Sequence, residues 1–330
     1  MTRYSRGLLG AILLFIVPLT LAAEGQGRAL LTDMADAHRA LEYQGRLIYS
    51  QGGRISAMEV LHAVIDGRQY ERLSHLDGDA SELIRHGENV VSVDRNRQVM
   101  RVPASETLGP LDVSERMARV PEQYNVLVDG DDRVAAREAV RVRVVPLDEH
   151  RYGYRLWLDR ESSLLLRLEL VNARGQAMEQ LEFVSLELQP ELSREDFRIP
   201  GDDTDVFAAH DSSEAGEAGE RDVPSLLAAG WLPEGFRAVT LDRDEDGEEP
   251  RRRFSQTFSD GLAAFTVFVE PAPGEDPELL HSVSRMGPTV AVSQGLELEE
   301  GLHLMTLIGE VPLETAEQIM SRMTLAEDRQ

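Results

Sequence analysis

The 330-residue chain has no cysteine, and all 34 of its basic residues are arginine, none lysine. Without cysteine there can be no disulfide, no thiolate metal ligand and no lipid attached through a thiol. The longest apolar run, Leu8 to Leu21, is interrupted by Pro18 and falls short of the roughly 20 residues needed to span a bilayer. Catalytic strings are missing too: no G-x-S-x-G, no phosphate-binding loop, no G-x-G-x-x-G. The eight histidines (His38, His62, His75, His86, His150, His210, His281, His303) nowhere form the H-E-x-x-H pair of a zinc peptidase. The reading is therefore of a binding protein, not an enzyme, with no catalytic residue, metal or cofactor assigned. Positive charge is also scarce. A formal net charge of −25 excludes duplex nucleic acid as a partner, because that affinity comes largely from neutralising phosphates. The absence of lysine is assigned no function.

What is present begins with Arg3 and Arg6, the apolar run, and the small residues Ala22 and Ala23, the order of an export signal covering residues 1–23. An amphipathic helix follows over 28–41, with Leu30, Leu31, Met34, Ala37, His38 and Leu41 at helical spacing. Strands dominate afterwards. Segments 43–50, 54–66 and 68–76, separated by Gly52-Gly53 and Asp66-Gly67, read as an antiparallel meander. Shorter strands are expected at 81–86, 89–94, 97–102, 124–128 and 134–146, with a short helix from Asp112 to Arg119 whose apolar stripe is Val113, Met117 and Val120. In RYGYRLWLD (151–159), Tyr152, Tyr154, Leu156 and Leu158 alternate with Gly153, Arg155, Trp157 and Asp159, the period-two pattern of a strand, and Leu164 to Val171 resumes it after a turn. So many antiparallel strands must curl or split.

Residues 201–222 contain eight acids, one arginine and little apolar bulk, the composition of a linker. A smaller α+β domain is expected over 223–330, with a strand pair about Asp260-Gly261, strands at 289–294 and 302–309 and a last helix over 313–323. Charge divides unevenly, net −8 over 24–200 and net −19 over 201–330. Asp242, Asp244, Asp246 and Gly247 match the start of a calcium loop, but Arg253 stands where the closing glutamate belongs and Pro250 interrupts it, so an acidic hairpin turn is expected.

Candidates to line a cavity, or else to fill a core, are Tyr49, Met58, Met100, Met117, Tyr152, Tyr154 and Leu156. Candidates for partner contact are Trp231, Phe236, Phe265, Phe268 and the basic run Arg251, Arg252 and Arg253, with core or solvated faces as the alternative. Two arginine groups, Arg95, Arg97 and Arg101, and Arg133, Arg137, Arg141 and Arg143, either gather into positive rims or pair with surface acids.

YQGRLIYSQGG (43–53), EVLHAVIDGRQYERLSHLDGDASELIRHG (59–87), RYGYRLWLD, SLLLRLEL (163–170), MEQLEF (178–183), WLPEGF (231–236), FSDGLAAFTVFVE (258–270) and GEVPLETAEQI (309–319) resemble, in order, blocks of the MucB/RseB family of periplasmic regulators. The resemblance implies a mainly β (α+β) fold: a half-open antiparallel barrel with a helical lid, like lipoprotein carriers of the LolA/LolB type, over 24–200, and a smaller α+β partner-binding domain. It implies that the protein binds the periplasmic segment of a membrane-spanning anti-sigma factor, shields it from regulatory proteolysis, and so restrains the envelope-stress sigma factor. A lipid or lipopolysaccharide signal would release it. A lipid or lipoprotein carrier without regulation is the alternative. The identity of the lipid and self-association stay open.

Overall fold

A computed structural model of the chain describes residues 19–78, 80–102, 110–200, 225–243, 253–272, 280–298 and 301–326. Most of the expected export signal and the acidic 201–222 segment lie outside the described residues, as do Arg251, Arg252 and most of the acidic turn at 244–252. No described helix is long and apolar enough to cross a membrane.

Helix α1 (Leu19–Ala40) precedes strands β1 (Tyr43–Gln51), β2 (Arg54–Ile65), β3 (Arg68–His75), β4 (Glu82–His86), β5 (Asn89–Val93) and β6 (Val99–Val102). Helix α2 (Pro110–Met117) then leads into β7 (Tyr124–Val134), β8 (Arg137–Pro146), β9 (Gly153–Asp159), β10 (Leu165–Val171) and β11 (Ala177–Leu188). These strands form one antiparallel sheet in the order β6-β5-β4-β3-β2-β1-β11-β10-β9-β8-β7. The sheet curls into an open half-barrel, because residues from β1, β2, β3 and from β7 to β11 share a single core with both helices. Leu31 and Met34 of α1, Val113 and Met117 of α2, and Leu47, Met58, Leu156 and Leu158 of the strands are all buried in it. Burying a side chain of this size contributes about 1.5–3 kcal/mol, so the helices are held by their apolar stripes.

Polar contacts fix where α1 sits. The Leu165 amide donates to His38 Nε2 at 3.0 Å, which leaves Nδ1–H to donate to the Tyr43 hydroxyl at 3.1 Å. Tyr43 stacks on His62, whose Nδ1–H donates to the Leu41 carbonyl at 2.8 Å. Helix α1 starts nine residues before the expected 28, passing through Gly25 and Gly27, which lower helix propensity and hide it from a sequence reading. Gly27 is required: a Cβ there would lie 2.8 Å from the Val126 carbonyl oxygen of β7.

Other boundaries also move. Helix α2 begins at Pro110, where proline's fixed φ suits a first turn, not at Asp112. The break expected between 128 and 134 is a bulge: β7 continues through Gly130 with a register shift between Val128 and Asp131, and the chain reverses at Ala135-Ala136, both left-handed (φ 48° and 62°). Two alanines carry no turn signature.

The C-terminal domain has β12 (Leu227–Ala229), β13 (Arg237–Arg243), β14 (Phe254–Ser259), β15 (Ala264–Pro271), β16 (Ser282–Met286), β17 (Thr289–Leu298), β18 (Gly301–Gly309), α3 (Leu313–Met320) and β19 (Met323–Leu325). Its six-stranded antiparallel sheet runs β13-β14-β15-β18-β17-β16, and the short β12 and β19 pair separately. Ala316, Ile319 and Met320 of α3 are buried in a core with Phe258, Phe265, Val267, Met305 and Leu307. The last helix stops at Met320, short of the expected 323, because Met323 enters β19. Strands β13 and β14 flank the acidic turn, with Arg243 opposite Phe254.

Candidate functional site

The concave face of the half-barrel, its helical lid and the C-terminal domain enclose a cavity of about 30 Å³, room for one or two water molecules. Tyr49 of β1, Tyr154 of β9, Leu168 and Leu170 of β10 and Glu179 and Leu181 of β11 form its wall. Val113 and Met117 of α2 cover it, with Arg116 exposed at the rim. The C-terminal domain closes the mouth with Leu262, from the β14–β15 turn, and Glu310, just after β18. Leu262 is buried in the N-terminal core although its chain segment belongs to the other domain.

The mouth is electrostatically unusual. Burial and the nearby Glu310 carboxylate push Glu179 up to about 7, against hydrogen bonds from Tyr49 and Gln51 and the pull of Arg116. Burial also raises Glu310, with Arg116 opposing. Burial and these same carboxylates raise the Tyr49 and Tyr154 phenols, so both stay neutral. The site is thus an apolar chamber with two carboxyls at its exit.

A buried polar junction beside the mouth ties the domains together. Arg151 Nη1 donates to Asp260 Oδ2 at 2.6 Å, its Nε and Nη2 grip Asp148 at 3.0 and 2.9 Å, and Nη2 donates to the Glu234 carbonyl at 2.7 Å. The guanidinium lies between the rings of Tyr124 and Phe236, 5.5 and 5.3 Å from their centroids. Asp260 is positioned by the β14–β15 turn, where its other oxygen accepts from the amides of Leu262 and Ala263 at 2.8 and 2.7 Å. Nearby, the Tyr152 hydroxyl donates to the Val311 carbonyl at 3.1 Å, and His150 meets Thr315 at 3.2 Å with its ring against Trp231. At the other end, Gly52 of the β1–β2 turn packs on Gly287 of the β16–β17 turn, both left-handed, and a Cβ on Gly287 would lie 2.8 Å from Gln51 Cγ.

Of the residues singled out for a cavity, Tyr49, Met117 and Tyr154 come together at its wall and lid. Met58 and Leu156 are buried in the adjoining core, Tyr152 is spent on the interdomain contact, and Met100 is 67% exposed on the edge strand β6, away from the cavity. Of the residues singled out for partner contact, Phe265 and Phe236 are buried, the latter against Arg151, and Trp231 packs at the domain junction. Phe268 is 40% exposed and lines an open groove with Arg253 and Phe254. The second arginine group forms no rim. Arg137 pairs with Asp159, and Arg141 and Arg143 both pair with Asp129. Sequence reasoning missed Arg116, Glu179, Leu262, Glu310 and the Arg151–Asp260 pair; their joint placement in four of the blocks named above and the lid helix is the one signal that pointed near them. No group of three or more histidine, aspartate or glutamate side chains arranged to hold a metal occurs among the described residues.

Two family models match the chain, the MucB/RseB N-terminal domain over residues 26–200 and the MucB/RseB C-terminal domain over 223–324. The sigma factor AlgU regulatory protein MucB of Pseudomonas aeruginosa is 34% identical over 317 residues, 94% of each chain. The sigma-E factor regulatory protein RseB of Escherichia coli K12 is 24% identical over 306 residues, 88% of each. Among solved structures, the Pseudomonas aeruginosa MucA/MucB complex gives a TM-score of 0.70 at 29% identity, covering 91% of this chain and 99% of that one. A crystal structure of MucB gives 0.58 at 27% identity, covering 92% and 98%.

Proposed function

The chain belongs to the MucB/RseB family, and from that premise we propose that it binds the periplasmic segment of a membrane-spanning anti-sigma factor, shields it from regulatory proteolysis and restrains an envelope-stress sigma factor. It works in the periplasm as a binding protein without catalysis of its own. Residues 24–200 form the lipid-sensing domain and 223–330 the partner-binding domain, joined by the acidic 201–222 segment. The observation that carries this reading is the likeness, over nine-tenths of the chain, to MucB structures solved with MucA and with MucA(peri). Those two give TM-scores of 0.70 and 0.69, against 0.58 for a crystal structure of MucB.

The closed mouth gives a physical route to release by lipid. A cavity of about 30 Å³ cannot hold an acyl chain, so lipid entry requires Leu262 and Glu310, or the α2 lid, to move. A twelve-carbon chain gains roughly 9 kcal/mol gross from burial at about 0.8 kcal/mol per CH₂, before ordering and association costs. Where entry goes past Leu262 and Glu310, lipid favours an arrangement with the C-terminal domain withdrawn. If the partner favours the docked arrangement, the two ligands oppose each other, as any pair with opposite state preferences must. The exposed Arg116 at the rim provides the positive charge for a phosphorylated headgroup in an otherwise acidic protein.

Cleavage of the cognate anti-sigma periplasmic segment by its regulatory protease tests the reading. The protein should protect the segment, and added lipid should restore cleavage. Absence of protection would remove the regulatory reading; protection that lipid does not lift would remove the lipid step alone.

A further inference from the structure

We propose that the Glu179–Glu310 carboxylate pair makes closure of the two domains over the cavity proton-dependent: protons held by the pair favour the docked arrangement, and their loss favours separation. This goes beyond partner and lipid binding and stands on the interface itself.

The argument starts from where the two groups are anchored. Glu179 belongs to β11 of the half-barrel, and Glu310 enters the same chamber from the other domain, with its amide bonded to the Ala264 carbonyl at 3.2 Å. Its neighbour Val311 accepts the interdomain hydrogen bond from Tyr152, so the backbone holds Glu310 in the mouth as long as the domains stay docked. Docking thus brings together two carboxyls that water would solvate separately in an open form. In a low-dielectric chamber, one of two such groups resists ionisation.

Every other group facing the pair leaves this conflict unresolved. From the N-terminal domain, Tyr49, Gln51 and Tyr154 are neutral and Arg116 is the cation. From the C-terminal domain, Asp260 adds negative charge beside Tyr154 and Glu314 beside Tyr152, and Arg285 shares an open outer groove with Glu179. Asp260 is committed to Arg151. The raised ionisation range of both glutamates is the expected signature, with Glu179 brought to about 7. The sign follows: a group whose pKa is raised in the docked state stabilises that state fully below the ordinary carboxylate range and loses this contribution as pH rises through about 7. For each proton released, the docked-to-separated ratio falls by up to about tenfold per pH unit within that window.

The lack of cysteine permits a direct test on the full chain without lipid or partner. Spin labels on Met100→Cys and Val283→Cys, both exposed and one in each domain, report the interdomain distance between pH 5.5 and 8.5. The docked population should fall with rising pH, and Glu179→Gln with Glu310→Gln should hold it high throughout. A distance distribution independent of pH would overturn the proposal. So would a pH dependence that survives the double glutamine variant and disappears with His150→Gln, the histidine that meets Thr315 across the junction. As a check independent of variants, carbon NMR of the glutamate carboxyls should show at least one titrating near neutrality in the docked protein; both titrating in the ordinary range would equally sink it.

Discussion

Arg151 and Asp260, 109 residues apart and in different domains, form a 2.6 Å ion pair in which neither side chain touches solvent. Removing Arg151 leaves the buried Asp260 carboxylate with hydrogen bonds only, which costs about 3–5 kcal/mol; removing Asp260 costs less, because Arg151 keeps Asp148. Arg151→Met and Asp260→Asn should therefore each loosen the domains, seen as a single thermal transition splitting into two. The double variant Arg151→Met with Asp260→Asn should cost less than the two single effects added, because the same ion pair is lost only once. Additive losses would show that the pair does not act as a unit.

Leu262 seals the cavity from the opposite domain. Leu262→Ala removes buried apolar contact worth roughly 2–5 kcal/mol at a core site and opens the mouth. Fluorescence of a polarity-sensitive fatty acid should rise in this variant at concentrations where the parent protein binds little. Equal uptake by both would show that Leu262 does not gate the chamber.

Helix α1 should be acid-labile. Burial and its neighbour His62 depress His38 to about 3, and burial depresses His62 to about 4, both from 6.5. Each neutral histidine thus contributes stability that is full above pH 6.5 and is lost as pH falls toward its folded value, at up to about 1.4 kcal/mol per pH unit. Urea unfolding of the N-terminal domain between pH 7 and 4 should show this slope, and His38→Gln should flatten it. The direction is opposite to that proposed for domain closure, so the two effects separate by probe.

Gly27→Ala should destabilise the protein although alanine is the better helix former by about 1 kcal/mol. The new methyl would meet the backbone oxygen of Val126, which cannot turn aside, and overpacking of this kind costs about 1–3 kcal/mol. A raised midpoint in chemical denaturation would show that α1 can shift away from β7 freely.

The −19 charge of residues 201–330 should make partner association depend on salt. A basic partner segment would be steered by this field, so its association rate should drop steeply between low and physiological ionic strength. A flat salt profile would point to apolar contacts alone, through Phe268 and its groove.

Much of the β architecture was legible in the chain. Alternation placed Leu156 and Leu158 inward on β9, and the paired left-handed positions at Gly52-Gly53 and Asp66-Gly67 marked both turns of the meander. Where a local signal was missing, the reading slipped: the Ala135-Ala136 turn carries no glycine or asparagine, and β16, exposed at all five positions, has no inward face to alternate. Tyr49, Met117 and Tyr154 were within reach because they lie on the apolar faces of elements the pattern could place. Met100 was not, since its strand is at the sheet edge and the side chain points to solvent.

The sequence by itself determined the strand pattern, the helix stripes, the uneven charge and the family, since each is written in short-range periodicity or in ordered blocks. It could not determine that Arg151 would meet Asp260, or that Glu310 would enter a chamber walled by Glu179, 131 residues earlier. Those pairings depend on how two separately cored sheets dock. A charged residue in a turn looks the same in sequence whether it faces water or another domain; only packing removes the solvent and turns an ordinary carboxyl into a group with consequences.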